Sequence, residues 1–238
     1  MNFAEVAPFV PALARAGGFA VTAPLLGDPT TPARVRLVFT VAVAAAVTHR
    51  GAALAPADAL VAAPLELVGG ALPGLLARWI LERVATGGQL IGLHLGLGFA
   101  QSYDPTASES ATAARRLVAT IAGLAFLAAG GLEAGVRAVA TPVTRGQLTV
   151  DAVSAIALAT QVTSRAIAFA APVIVAAVLI NAGLAVVNRA APAFNVFSIA
   201  LVAVVIGGGL VLMAAAPGTA AAIADTAEDA VAALGGRR

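Results

Sequence analysis

The chain has 238 residues, of which 60% are hydrophobic and 11% charged, and its mean hydropathy is +0.96. Soluble globular domains average about a quarter charged residues, so this composition excludes an ordinary soluble enzyme and predicts one integral membrane domain over 1–238. The net charge of +2 gives no sign of nucleic-acid binding, and the lack of cysteine excludes disulfides and cysteine-bound metals. Glu5 stands where a cleaved signal peptide carries basic residues, so we expect the N-terminus to be retained.

Seven apolar runs of unequal quality predict an all-α membrane protein. The runs cover 6–26, 37–48, 59–77, 84–100, 117–132, 166–187 and 199–216. A helix needs roughly 20 apolar residues to cross a bilayer, and only the sixth run provides them without a charge. Its flanking residues, Arg165 and Arg189, lie about 36 Å apart along a helix, so we expect them at opposite membrane interfaces.

The first and third runs carry charges that a lipid bilayer tolerates poorly. Arg15 lies near the middle of the first run, where an arginine costs about 2.5 to 3.5 kcal/mol on insertion scales. Glu66 lies inside the third run, beside Pro64. Broken, charged helices persist at membrane depth where protein or water covers them. Either the chain packs inside a larger assembly, or these two charges find partners within their own bundle.

Polar breaks divide the chain into Gly- and Pro-broken helices at 1–136, long helices at 148–216 and a short tail at 217–238. Asp104-Pro105 predicts a hairpin-like corner within the first part, because proline disfavours helical geometry at the residue before it. Basic residues occur in nearly every connection, so the charge distribution leaves the membrane orientation open.

Two four-residue patterns predict helix starts. Thr106 and Glu109 have the spacing of a capping box, which favours a new helix directly after the corner. Asp225 and Glu228 have a similar spacing, which predicts a short amphipathic helix in the tail.

The residues needed for catalysis are missing from the sequence. His49 and His94 have no acidic residue at the spacing of zinc proteases, and no serine lies in a Gly-x-Ser-x-Gly turn. Without lysine there is no P-loop, Schiff base or Ser–Lys dyad. The sequence therefore predicts a protein that is not an enzyme and has no cofactor or metal site. We interpret His94 as a packed or interface histidine.

Gly88, Gly92 and Gly96 recur every four residues within an apolar run. On a helix this spacing places them on one face, where another backbone can approach closely. The neighbouring backbone belongs either to the same chain or to another subunit. A second cluster at 188–195 forms a polar break between two apolar helices, and it is either a contact site or a simple interfacial turn.

Three motifs in this order resemble the FliR family of flagellar biosynthesis proteins and its injectisome relatives, the SctT export-gate subunits. Together they span about 15–199. They are Arg15-x8-Ala23-Pro24-x7-Pro32-x-Arg34-Val35-Arg36, the stretch from Gly88 to Asp104-Pro105, and Asn188-Arg189-x-x-Pro192-x-x-Asn195-x-Phe197-x-Ile199. The chain departs from the family pattern with His94 in place of glutamine, Ala193 in place of glutamine, and Ala200-Leu201-Val202 in place of Gly-Phe-Pro.

The resemblance implies a subunit of the type III export gate in the bacterial inner membrane. In this family one FliR joins several FliP (SctR) and FliQ (SctS) copies in a helical ring that stands partly out of the bilayer, with FlhB (SctU) wrapped around it. Unfolded export substrates pass through the lumen of the ring. The resemblance thus implies a multi-pass helical hairpin bundle, and a place in the flagellar basal body if the system is flagellar.

The resemblance also implies roles for particular residues. Residues expected at subunit contacts are Gly88, Gly92, Gly96, Arg34, Arg36, Asn188, Arg189 and Pro192. The loop after the Gly-rich helix, here the plug loop at 101–110, is expected to help close the lumen. Its named members are Gln101, Ser102, Tyr103, Asp104, Pro105 and Ser108.

A small secondary transporter is the alternative function. Interrupted helices with buried charges, such as those carrying Arg15 and Glu66, are typical of transporters with discontinuous helices. Paired interruptions in two repeated halves would favour this alternative, and the sequence shows none. A membrane enzyme is the third possibility, and it would need a catalytic set of residues that the sequence does not supply.

Overall fold

The computed structural model describes residues 7–48, 55–96, 112–140, 152–190 and 196–235, without the side chains of 152–159, 162 and 196–198. All regular structure in these ranges is α-helical, which confirms the predicted all-α class. The helices are α1 (Phe9–Thr22), α2 (Ala33–Thr48), α3 (Pro56–His94), α4 (Ala113–Ala128), α5 (Gly131–Ala140), α6 (Ala152–Ala190), α7 (Val196–Ala214) and α8 (Ala216–Ala233).

The third and fourth apolar runs form one continuous helix rather than two. α3 has 39 residues and includes Pro64 and Pro73. The stretch that separated the two runs carries charges that the structure satisfies, since Glu82 accepts a hydrogen bond from Arg115 on α4 over 2.8 Å. The apolar run predicts a helix that continues to about residue 100, but the helix ends at His94.

One of the two predicted helix starts needs correction, and the other cannot be compared with the described residues. The hydroxyl oxygen of Thr112 accepts a hydrogen bond from the N–H of Arg115 over 3.2 Å, so Thr112 caps α4. The predicted cap at Thr106 lies outside the described residues. In the tail, α8 begins at Ala216 and has 18 residues, so Asp225 lies in its middle and caps nothing. Pro217 explains the early start, because proline fits the first turn of a helix.

Contacts divide the chain into two units. The first consists of Met1–Leu81, Gly123–Ala159 and Ala227–Arg238. Within it α1 packs against α2, and both contact α5. Its buried apolar side chains are mostly small, with Phe19 and Phe126 as the largest, which lets the helices approach one another closely. The ring of Phe19 packs against that of Phe39 at a centroid distance of 6.2 Å.

The second unit consists of Glu82–Ala122 and Thr160–Thr226. Its core brings together α3, α6 and α7. The buried side chains in this core are Ile91, Leu95, Ala170, Val173, Ala177 and Val204. A Cβ added to Gly208 on α7 would lie 2.2 Å from a terminal methyl group of Leu95, so α7 packs closely against this side chain. The predicted division at 136 and 217 stays a prediction.

Two helices are long and apolar enough to cross a membrane, namely Pro56–His94 and Thr163–Ala190. The pairs α4–α5 and α7–α8 are bent by 64° and 65°, and each pair passes the same test as one broken span. Large hydrophobic side chains are exposed on α1 to α7, which confirms the predicted integral membrane class. The sequence identified only the α6 span as uninterrupted, because the charges of α3 mask its length.

Candidate functional site

Arg15 and Glu66 form a buried ion pair in the first unit. Nε of Arg15 lies 2.5 Å from Oε2 of Glu66, and the two residues are 5% and 7% exposed. Arg15 also donates a hydrogen bond to the carbonyl oxygen of Val139 over 3.0 Å. That carbonyl belongs to the last turn of α5, where a cation offsets the partial negative charge of the helix end. Of the two readings of these charges, the structure therefore shows pairing within the chain.

Glycines allow α1 and α3 to cross at this pair. A Cβ added to Gly70 would lie 2.0 Å from the carbonyl oxygen of Arg15. A Cβ added to Gly18 would lie 2.2 Å from the carbonyl oxygen of Leu67. Neither position tolerates a side chain without moving a backbone, so both glycines set the helix separation that brings Arg15 to Glu66.

The glycine face of α3 packs against the start of α4 in the second unit. A Cβ added to Gly92 would lie 2.3 Å from Oγ1 of Thr112, and one added to Gly88 would lie 3.0 Å from Val118. These two glycines therefore have a neighbour within their own chain. Gly96 was predicted to share this helix face, but it does not. It lies beyond the end of α3 with a φ of 74°, a left-handed conformation that suits glycine and terminates the helix.

A polar brace joins the same two helices. Oε1 of Gln89 accepts hydrogen bonds from the backbone N–H and the hydroxyl of Thr112, over 2.9 and 3.1 Å. The side chain of Gln89 thus satisfies one of the backbone donors left open at the start of α4. No local residue pattern predicts this contact, since the two residues are 23 positions apart.

The chain is similar to known proteins over most of its length. The family described as bacterial export proteins, family 1, matches residues 6–230. The flagellar biosynthetic protein FliR of Caulobacter vibrioides is 30% identical over 207 residues, which is 79% of this chain and 79% of the relative. The chain belongs to the FliR family of bacterial export proteins.

Two further FliR proteins are similar. The flagellar biosynthetic protein FliR of Aquifex aeolicus is 32% identical over 167 residues, covering 66% of this chain and 63% of the relative. That of Escherichia coli is 30% identical over 114 residues, covering 46% of this chain and 44% of the relative. The resemblance predicted from the three sequence motifs is confirmed. This FliR-family chain is a component of a bacterial export apparatus, and it is a bacterial inner-membrane protein.

Two of the residues that the FliR resemblance marks for subunit contacts follow the connection between α1 and α2. Arg34 is exposed, while Arg36 donates a hydrogen bond to the carbonyl oxygen of Thr31 over 2.9 Å. In the same connection Asp28 accepts hydrogen bonds from the hydroxyl and the N–H of Thr30, over 2.7 and 2.8 Å. These bonds lower the pKa of Asp28 below its usual 3.8; burial opposes the shift, and the nearby Arg78 and Arg36 add smaller lowering contributions.

The remaining predicted residues are only partly described. Asn188 and Arg189 are exposed at the end of α6, while Pro192 and the whole plug loop lie outside the described residues. His94 donates a hydrogen bond from Nδ1 to the carbonyl oxygen of Leu90 over 2.9 Å. Within the described ranges no group of three His, Cys, Asp or Glu residues could hold a metal. The roles of the FliR motif residues in subunit contacts stay predictions.

Sequence reasoning missed the glycines of the α1–α3 crossing. Gly70 and Gly74 are four residues apart, the spacing that singled out Gly88 and Gly92. A Cβ on Gly74 would lie 2.5 Å from the hydroxyl oxygen of Thr22 on α1. A systematic search for this spacing would have found the crossing.

Proposed function

We propose that this chain is the FliR-like subunit of a type III export gate. With FliP-like and FliQ-like subunits it forms the channel through which unfolded proteins cross the inner membrane, and an FlhB-like subunit contacts this assembly. The curated relatives are flagellar proteins, which supports a flagellar system over an injectisome and a place in the basal body.

The exposed apolar surface of α2 carries this proposal. Val35, Leu37 and Val38 are 48%, 64% and 67% exposed, and Val41 is 43% exposed. The helix has 16 residues and spans about 24 Å, which is shorter than the hydrocarbon core of about 30 Å. Because α2 is shorter than the hydrocarbon core over the residues that the structure describes, and its apolar side chains are exposed, another protein subunit is the natural cover for this surface.

The buried ion pair adds to this argument. Arg15 and Glu66 satisfy each other within the first unit, so neither supplies a charged binding site for a transported solute. A transporter with discontinuous helices would place such charges at the substrate. The pair instead locks α1, α3 and α5 together, as expected of a scaffold subunit.

We further propose that the plug loop at 101–110 closes the lumen at rest. Support comes from its described flanks. Gly92 near the end of α3 contacts Thr112 at the start of α4, so the segment between the helices leaves and returns at the same end of this pair. A loop held at both ends in this way can cover an opening and be displaced by a passing chain.

Assembly tests the proposed function. The tagged chain is expressed with its FliP-like and FliQ-like subunits and purified in detergent, and the mass of the intact complex is measured. Val38→Arg places a charge on the bare surface of α2 and is expected to abolish complex formation. Ala224→Arg is the matched control, because Ala224 is exposed on α8 beside the acidic Asp225.

Wild type and Ala224→Arg are expected to carry both partner subunits, and Val38→Arg neither. Two results would contradict the proposal. One is a wild-type chain that remains a stable monomer and transports a solute, which would favour the transporter. The other is full assembly of Val38→Arg, which would show that α2 faces no subunit.

A further inference from the structure

A cavity of about 580 Å³ opens on the second unit. It lies where the bend between α7 and α8 leaves space beside α3 and α6. Its volume falls within the roughly 300 to 1,000 Å³ of small-molecule sites. None of the motifs that link this chain to its family contributes a residue to the lining.

Two arginines, Arg83 and Arg165, contribute positive charge to the lining of the cavity. Arg83 is 3% exposed and already has an interaction of its own within the protein, which fixes its position. Arg165 is exposed and is therefore the guanidinium that a ligand can reach. Asp225 lines the cavity as well and offsets part of this charge.

An apolar stripe on α6 continues from Arg165 into the cavity. Ala168, Phe169 and Pro172 line the same space, at the i+3, i+4 and i+7 positions of one helix face. Phe169 and Pro172 lie about 6 and 10 Å further along the helix axis. Arg165 stands near the start of the apolar span Thr163–Ala190, so the stripe runs from the membrane interface towards the hydrocarbon core.

We propose that this cavity binds one anionic phospholipid. The phosphate contacts Arg165 beside Arg83, and the upper part of an acyl chain packs against Phe169 and Pro172. This arrangement matches the order of polar and apolar groups in a lipid that lies parallel to α6. The proposal rests on α6 crossing the bilayer and does not depend on the export channel.

The mixed lining favours a lipid over a free anion. The carboxylate of Asp225 weakens the attraction for a small phosphate, so charge alone gives little binding. The apolar stripe supplies the rest of the binding energy, and only a ligand with a hydrocarbon chain can use it. A lipid with a net negative charge is preferred over a zwitterionic one. The headgroup of the anionic lipid carries no cation that competes with Arg165 for the phosphate.

Native mass spectrometry of the full chain, purified in detergent with its co-purifying subunits, tests the proposal. Phosphatidylglycerol, phosphatidylcholine and inorganic phosphate are added in separate titrations. We expect retention of phosphatidylglycerol, roughly fivefold weaker retention in Arg165→Gln, and none in Ala168→Trp, which fills the cavity from an exposed position. Arg116→Gln is the matched control, since Arg116 is an exposed arginine of α4 outside the cavity.

Several results would overturn the proposal. Equal retention of phosphatidylcholine would show that charge plays no part, and displacement of the lipid by inorganic phosphate would identify a free-anion site. Equal lipid binding by Arg165→Gln and Arg116→Gln would show that the lipid does not bind in the cavity. If Ala168→Trp lost a protein subunit but kept its lipid, the cavity would be occupied by a partner helix. Partner subunits appear in the same spectra, so failure of lipid binding and failure of assembly are told apart.

Discussion

Glu66→Ala is expected to destabilise the first unit strongly. The substitution removes the carboxylate 2.5 Å from Arg15 and leaves a guanidinium that is 5% exposed without its counter-charge. Breaking a buried ion pair by removing one partner costs about 3 to 5 kcal/mol, mostly because the remaining charge stays desolvated. The hydrogen bond from Arg15 to Val139 remains, but a carbonyl does not neutralise a cation.

Replacing both partners distinguishes this cause from simple loss of contact. In Arg15→Met combined with Glu66→Leu no charge remains buried, and apolar side chains of similar size fill the space. The carbonyl oxygen of Val139 then loses its donor, which costs about 1 to 3 kcal/mol. The double variant is therefore expected to be more stable than Glu66→Ala alone.

Unfolding followed by the fluorescence of Trp79 measures these differences. Trp79 is the single tryptophan of the chain and lies on α3, the helix that carries Glu66. Glu133→Ala provides the control, because its ion pair with Arg137 is one helical turn apart and about two-thirds exposed. Such a pair contributes about 0.3 to 0.5 kcal/mol.

The reasoning would be refuted if Glu66→Ala lost no more free energy of unfolding than Glu133→Ala. It would also be refuted if the double variant were less stable than Glu66→Ala, since that would show that the charge of Arg15 is not what makes the single change costly.

Three further predictions concern other parts of the chain. Gly92→Leu is expected to lower the free energy of unfolding by more than about 3 kcal/mol and to prevent assembly, because its Cβ would lie 2.3 Å from Thr112. Leu93→Ala, at a half-exposed position, is expected to have a mild effect. Size-exclusion chromatography of both variants checks this prediction. The pKa of Asp28 is lowered in the folded protein, so the ionised carboxylate stabilises the fold above pH 3.8 and this effect is lost as the pH falls through the folded pKa. In Asp28→Asn the melting temperature should therefore depend less on pH in this acidic range. Shortening the plug loop around its Asp-Pro corner is expected to keep the complex assembled but make the membrane leak ions, and unchanged conductance would show that the loop is a plain turn.

The sequence predicted the class of the protein better than its internal contacts. Composition and apolar periodicity are local properties, so they reveal helices and a membrane environment without knowledge of the fold. The pairing of Arg15 with Glu66 joins residues 51 positions apart, and nothing local distinguishes it from burial against another subunit. The sequence could therefore mark both charges as anomalous but could not choose between the two readings.

Helix boundaries failed for a related reason. The charges between the third and fourth runs looked like a connection, yet Glu82 is satisfied by Arg115 on another helix, so α3 continues through them. Gly96 fitted the four-residue glycine spacing, but its left-handed φ makes it a helix terminator instead. In both cases tertiary contacts or backbone conformation decided a feature that the residue pattern alone could not.

Cross-linking of a stalled export substrate tests the central claim most directly. A flagellar export substrate with a stably folded domain at its C-terminus is expected to stop inside the gate. A photo-reactive amino acid at Ser102 or Ser108 of the plug loop should then cross-link to it, while one at the exposed Val186 of α6 should not. If neither plug-loop position captured the stalled chain, or if Val186 captured it equally well, this protein would not line the export channel.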